Sequence, residues 1–312
     1  MSRQHPGNFI YFGPGANCTL ELCDVGTSVY RYRPHLAANI TFIALYAVAI
    51  AVHVLLGFRW KNWWFVGCVV ASCLVEILGY VGRIMLYYNP WSFIAFMIQI
   101  ICITIGPVFY CAAIYCTLAR VINHFAPSLS RFPPRLFYWV FIPCDIVSLA
   151  LQGAGGALST NSEGSNSMGV NITLAGLAFQ VATLVAFSAF FIDFLARLYR
   201  LRHKGGSTIE GPAVDTLRVR LFFGFLSAAV LLTLARCIYR VDELSEGYDG
   251  PLIGDEGLFI GLEGVLVILS IFALCIGHPG MLLNKDSQSR RSSQGIITEA
   301  IVESGSSIER EK

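Results

Sequence analysis

Seven long runs of apolar residues, each nearly free of charge, decide most of what this chain can fold into. They lie near 36–57, 64–87, 93–120, 136–158, 170–196, 217–240 and 257–277. Each holds about 20 or more residues, enough at 1.5 Å per residue to cross the ~30 Å hydrocarbon core of a bilayer. Inside lipid every backbone N–H and C=O must find a partner within the protein, so runs of this length read as helices. The predicted fold class is an all-α integral membrane protein with seven transmembrane helices. Composition agrees: 55% of the residues are hydrophobic and 13% charged, against about 25% charged in a soluble domain. With four lysines and no basic run interleaved with aromatics, the chain gives no footing for nucleic acid.

The segments outside the spans set three domains. Residues 1–35 form a polar tail containing Gly and Pro, with no apolar core of a cleavable signal peptide, so the first span is expected to act as its own signal. Residues 36–280 form the seven-helix domain. Residues 281–312, rich in Ser, Glu, Arg and Lys, are expected to be a disordered tail, and its RRSS string at 290–293 is of the kind kinases modify. One set of loops carries Arg59 and Lys61, then Arg120, Arg131 and Arg135, then Arg197, Arg200, Arg202 and Lys204, followed by Arg218 and Arg220. The alternate set, YNPWS, STNSEGSNSMG and VDELSEGYDGPLIGDE, has no Lys or Arg. The positive-inside rule therefore predicts the N-terminus outside and the C-terminus cytoplasmic. Arg31 and Arg33, beside the first span, locally oppose this.

Eight of the ten cysteines lie in or beside apolar runs, where Cys behaves as a small buried hydrophobe. Cys18 and Cys23, in the polar tail, are a candidate disulfide if that tail is outside. Asn17 opens the pattern Asn17-Cys18-Thr19, a candidate glycosylation acceptor. Asn171-Ile172-Thr173 is expected in an outer loop close to a span, and Asn39-Ile40-Thr41 at the edge of the first. No CxxC or Cys/His cluster has zinc spacing, so neither metal nor cofactor is expected.

The informative residues are the polar ones inside the spans. Glu76 lies near the middle of the second span and Arg83 near its end. At i and i+7 they share a face with Ser72 and Gly79. Asp145, Ser148 and Gln152 make a similar stripe on the fourth span, leading into GAGG at 153–156. Gln99 and a Gly106-Pro107 break mark the third span, Gln180 and Asp193 the fifth. Arg236 and Arg240 end the sixth, and Glu263 lies in the outer half of the seventh. A charge in hydrocarbon costs about 2.5–3.5 kcal/mol on insertion scales, so such groups face the bundle interior and need partners. Arg83, Arg236, Glu256 and Glu263 reach a similar depth and predict an outer polar cluster. Glu76 and Asp145 lie deeper, with no evident cation, and are candidates for receiving a cationic ligand or a proton. The glycines at 153, 155 and 156 are expected to let helices pack closely, Gly106-Pro107 to kink the third helix, His53 to be a packed core residue, and Asp193 to pair with Arg197.

Several function classes find no support. The chain has no GxxxxGK[ST] phosphate loop, no GxSxG or HExxH, and too few intramembrane histidines for a membrane zinc hydrolase. No catalytic constellation is visible, so an enzyme is not expected. A retinal protein needs a lysine in the seventh span, and there is none.

Taken in order, LVEILGYVGR at 74–83, QIICITIGPVFYCAAIYCTLARVI at 99–122, DIVSLALQGAGG at 145–156, RCIYRVDELSEGYDGPLIGDE at 236–256 and HPG at 278–280 resemble the fungal lipid-translocating exporter family, also called RTA-like proteins. The resemblance covers about residues 35 to 280. It implies a seven-span fungal protein, often of the plasma membrane, associated with release of sphingoid long-chain bases and resistance to toxic amphiphiles. The polar positions matching its motifs are Glu76, Arg83, Gln99, Asp145, Gln152, Arg236, Arg240, Glu243 and Glu256; Gly257 stands where a bulky aromatic is frequent. The expected function is translocation of amphiphilic lipids, with membrane lipids and an amphiphilic small molecule as partners. Glu76, Asp145, Gln99 and Gln152 are candidate substrate contacts, and Arg83, Arg236, Arg240, Glu243, Glu256 and Glu263 a candidate outer gate. The alternative is a seven-helix receptor or lipid-stress sensor that regulates other transporters.

Overall fold

The computed structural model describes residues 9–125, 133–161, 167–203, 216–245, 250, 252–280 and 282. The tail from 283 onward, including RRSS, lies outside the described residues. Seven helices are long and apolar enough to cross a membrane: α1 (Leu36–Trp60), α2 (Trp63–Tyr88), α3 (Phe93–Phe125), α4 (Leu136–Asn161), α5 (Ser167–His203), α6 (Thr216–Ser245) and α7 (Glu256–Ile276). No long β-strand occurs among the described residues.

Several helices outrun their apolar runs. Helix α6 continues through Val-Asp-Glu-Leu to Ser245, so Glu243 is helical rather than in a loop, and it pairs with Arg240 one turn earlier. Helix α5 already contains Asn171-Ile172-Thr173, which corrects the expectation of a loop there. Helix α7 begins where Asp255 caps it, its carboxylate accepting from the N–H groups of Gly257 (2.9 Å) and Leu258 (3.2 Å). It then passes through a π-helical stretch, Phe259–Val265, before resuming as α-helix at Leu266. Widened turns of this kind are frequent at functional positions; here the stretch carries Glu263.

Small residues set the tightest helix contacts. A Cβ on Gly82 would sit 2.9 Å from the Gln99 backbone nitrogen, and one on Gly79 2.6 Å from Ile103, so α2 and α3 approach as only glycine permits. Gly155 and Gly176 do the same between α4 and α5, where a Cβ on Gly155 would lie 2.5 Å from the Thr173 nitrogen. Helices α3 and α4 meet more sparsely than either of these pairs.

Residues 9–35 form a folded cap, and the end of the bundle they cover is termed here the capped end. Cys18 and Cys23 are joined as a disulfide. Tyr11, Cys18 and Trp91 form a small core, and the Trp91 indole donates to Thr27 Oγ1 (3.2 Å). Phe12 meets Phe93 and Phe96 edge-on. Arg33, which weighed against the predicted orientation, stacks on Tyr87 and donates to its carbonyl (2.7 Å).

Candidate functional site

Three separate places gather most of the expected site residues. The first is a cavity of about 290 Å³ between α3, α4 and α5. Its deeper walls are apolar: Met97, Ile100, Ile101 and Ile105 on α3, Leu149 on α4 and Leu177 on α5. Thr104 and Thr173 also line it, and each hydroxyl donates to the carbonyl four residues earlier, at 2.6 and 3.0 Å, so neither has a free donor for a ligand. From Phe96 to Ile105 the cavity runs nine residues along α3, about 14 Å. At the capped end the lining turns polar, with Tyr30, Arg240 and Glu243. The Tyr30 hydroxyl accepts from the Gln99 amide (2.8 Å), and burial raises its pKa above the ordinary tyrosine value, so it stays neutral. Arg240 and Glu243 are ion-paired. The site is thus a greasy slot with one charged end, and Ile101, half exposed on the outer surface of the bundle, forms part of its rim.

Two glycines keep this slot open. Gly153 and Gly156 line it, and a Cβ on either would meet nothing within 4 Å. The expectation that 153, 155 and 156 all serve close packing therefore holds for Gly155 alone. The flanking Gln152 edges the cavity, but its amide nitrogen is committed to Ser148 Oγ (2.8 Å) and Gln180 Oε1 (3.1 Å), tying α4 to α5.

The second place is the bundle centre, on the other side of α3. Proline at 107 has no N–H, so the carbonyl of Ile103 four residues earlier is left without its helical donor. Arg236 supplies one, with Nη2 to Ile103 O at 2.8 Å, while its Nε donates to Glu263 Oε1 at 2.9 Å. The neighbouring Gly106 makes room for Glu76: a Cβ there would lie 2.9 Å from the carboxyl carbon. Ser72 donates to Gly106 O (2.7 Å). Glu76 is 1% exposed, and its Oε1 has no hydrogen-bond partner. Arg236 lies near enough to act on it electrostatically, so a cation does reach Glu76, although one already held by Glu263.

The third place is nearer the cap. Arg83, fully buried, donates to Asn39 Oδ1 (3.1 Å), the Tyr32 hydroxyl (3.0 Å) and Glu256 (3.4 Å), and covers the Phe259 ring at 3.8 Å. Burial raises the Tyr32 pKa, with Arg83 opposing. Glu256 also accepts the His35 backbone N–H at 2.6 Å, so it links the cap, α2 and α7.

The structure thus resolves the expected outer cluster into three pairs, Arg236–Glu263, Arg83–Glu256 and Arg240–Glu243, of which only the last borders the cavity. Of the four candidate substrate contacts, Gln152 lines it and Gln99 reaches it through Tyr30, whereas Glu76 and Asp145 do not line it. Asp145 is buried against the Tyr115 hydroxyl of α3. His53 contacts Ile271 O (3.3 Å) and Cys275, and Asp193 pairs with Arg197 at 3.0 Å. Asn17 is exposed, and Asn39 is buried. In the sequence, Tyr30 is marked only by a run of aromatics in a nominally polar tail, and the apolar walls by nothing that sets them apart from the rest of the spans. Among the described residues no group of His, Cys, Asp and Glu is arranged to hold a metal.

The motifs that converge on these three places fall within one family. A family model described as RTA1 like protein matches residues 69–286. The chain belongs to the RTA1-like family. With its seven apolar helices it is an integral membrane protein. Its relatives include the sphingoid long-chain base transporter RSB1 of Saccharomyces cerevisiae (strain S288c), 32% identical over 286 residues, covering 82% of this chain and 74% of that one. The probable lipid transporter atnI of Emericella nidulans is 24% identical over 275 residues, covering 86% and 72%. Protein RTA1 of Saccharomyces cerevisiae is 27% identical over 283 residues, covering 81% and 86%. No solved structure matches the chain significantly.

Proposed function

We propose that this RTA1-like protein moves single-chain amphiphilic lipids with a cationic headgroup, sphingoid long-chain bases above all, across the plasma membrane and so protects the cell from them. The observation that carries this reading is the cavity: apolar along its length, charged at one end, and bordered by the surface that faces lipid. Its volume is at the lower end of the ~300–1,000 Å³ usual for ligand pockets. It therefore takes the headgroup and the first part of a tail, and the rest of the tail leaves between α3 and α4 into the bilayer. The names of the transporter relatives support the same class of substrate.

In this reading Glu243 receives the amine, exchanging its partner Arg240 for the ligand, and Tyr30 closes the site from the cap. The capped end faces outside, in keeping with the positive loops at the other end, and Asn17 is then placed for glycosylation. Charge-assisted hydrogen bonds contribute about 1.5–3 kcal/mol. Glu243→Gln in the purified protein should therefore weaken binding of a fluorescent long-chain base by about 10–150-fold, whereas a neutral lipid with the same tail should be affected little. Equal binding of the long-chain base by both proteins would overturn the assignment.

A further inference from the structure

We propose that Glu76 is a proton-binding site at the bundle centre, and that its loading and release drive the lipid movement. This rests on the transport reading above and names its energy source. The bundle centre holds two carboxylates, Glu76 and Glu263, and one guanidinium, Arg236, all at most 3% exposed. Arg236 is satisfied by Glu263 and the Ile103 carbonyl. One unit of negative charge is thus left over at mid-membrane, where an unneutralised charge costs several kcal/mol. A single added proton removes it.

The surroundings fit a proton better than a larger cation. The titratable groups near enough to act electrostatically on Glu76 are Tyr46 from α1, Cys73 and Tyr80 from α2, Cys102 from α3, Arg236 from α6 and Glu263 from α7. The hydroxyls of Tyr46 and Tyr80 are buried without hydrogen-bond partners, as are Glu76 Oε1 and Glu263 Oε2. Gly106 presses directly on the carboxyl and closes it from α3. A buried carboxyl oxygen with no partner and with Gly106 against it suits a proton, which needs no coordination shell. Tyr80 interacts electrostatically with Glu76, Glu263, Arg83 and Arg236. In the cycle, hydronium on one side of the membrane passes a proton to one Glu76 oxygen and is left as water, and the same proton later passes to water on the opposite side. One proton enters and one leaves per turn.

Two measurements on the full chain test this independently. Infrared difference spectra of wild type and Glu76→Gln at neutral pH read the proton without any substrate. The wild type should show a protonated-carboxyl C=O band that the variant lacks, and the band should bleach as pH is raised. Superimposable spectra would overturn the site. Should Glu76→Gln fail to assemble, Glu76→Asp replaces it: the carboxyl band should move in frequency and in titration, and an unmoved band overturns the site. In vesicles, N,N,N-trimethylsphingosine, which carries a fixed charge and no proton of its own, serves as the probe. One pH unit across the membrane is worth about a factor of 10 per proton, so wild-type flux should respond to the imposed gradient by about that factor, while Glu76→Gln should still bind the probe and ignore the gradient. Gradient dependence retained in the variant, or a sodium gradient substituting for the pH gradient in wild type, overturns the coupling. Wild type that neither binds nor moves the probe sinks the transport reading and the coupling together, with the infrared result still deciding the proton.

Discussion

Arg236 shows how much one side chain can be asked to hold. It serves Glu263 and the Ile103 carbonyl released by Pro107, so its removal strands a buried charge and a buried acceptor together. Breaking a buried ion pair from one side costs about 3–5 kcal/mol. Arg236→Met should lose about that much in detergent unfolding, and Arg236→Met with Glu263→Gln should recover part of it but not the share belonging to Ile103. Full recovery would show that the carbonyl contact contributes nothing. A charge swap between Arg83 and Glu263 should rescue nothing, because Arg83 pairs with Glu256. His278, just past α7, makes a prediction in pH. Burial, with His53 adding to it, lowers its pKa to about 3, and it lies against Trp60 and Phe65 while its Nδ1 accepts the Gly280 N–H (3.0 Å). A base whose folded pKa is depressed takes up its proton first in the unfolded chain. Stability should therefore fall as pH drops from about 6.5, the unfolded value, towards 3. His278→Gln should flatten that part of a stability–pH curve; an unchanged slope would contradict the assignment.

At the level of helices, glycines of one short motif have opposite roles. Gly155 is pressed on α5, and Gly156 faces the open cavity. Gly155→Leu should overpack the α4–α5 contact and cost about 1–3 kcal/mol or more. Gly156→Leu should leave thermal stability close to wild type and still reduce probe binding by filling the slot. Equal destabilisation by both would remove the distinction. The sequence pattern could announce that 152–156 matters, but a glycine facing a helix and one facing a void look identical in a string of letters. The stripe of Ser72, Glu76, Gly79 and Arg83 was legible because helical periodicity places it on one face. Its division between two sites was not, since that depends on α3 inserting the Gly106-Pro107 irregularity beside Glu76 and on a π-helical stretch turning Glu263 towards Arg236.

Across the whole molecule, spans were readable because bilayer thickness fixes their length, and helix existence follows from the need to satisfy backbone groups in lipid. The cap was not readable as a folded unit: its aromatic contacts with α2 and α3 join residues distant in sequence, and no local periodicity records them. Its disulfide closes a short loop, Cys18 to Cys23, for which chain entropy alone gives about 2 kcal/mol. Cys18→Ser with Cys23→Ser should hasten proteolysis within residues 9–35 while the helical bundle stays intact; unaltered cleavage would show that Trp91 and Phe12 hold the cap unaided. Because Tyr30 lines the cavity, the same variant should also loosen the site's closure.

The cavity is the centre of the account, and export from cells tests it most directly. Release of labelled long-chain base should be compared in fungal cells lacking the protein and in cells expressing wild type, Gly156→Leu or Glu243→Gln at equal surface levels. Release should rise with wild type and fall back towards the level of the deletion strain with either variant. Wild-type release by both variants, one blocking the slot and the other removing its carboxylate, would contradict it.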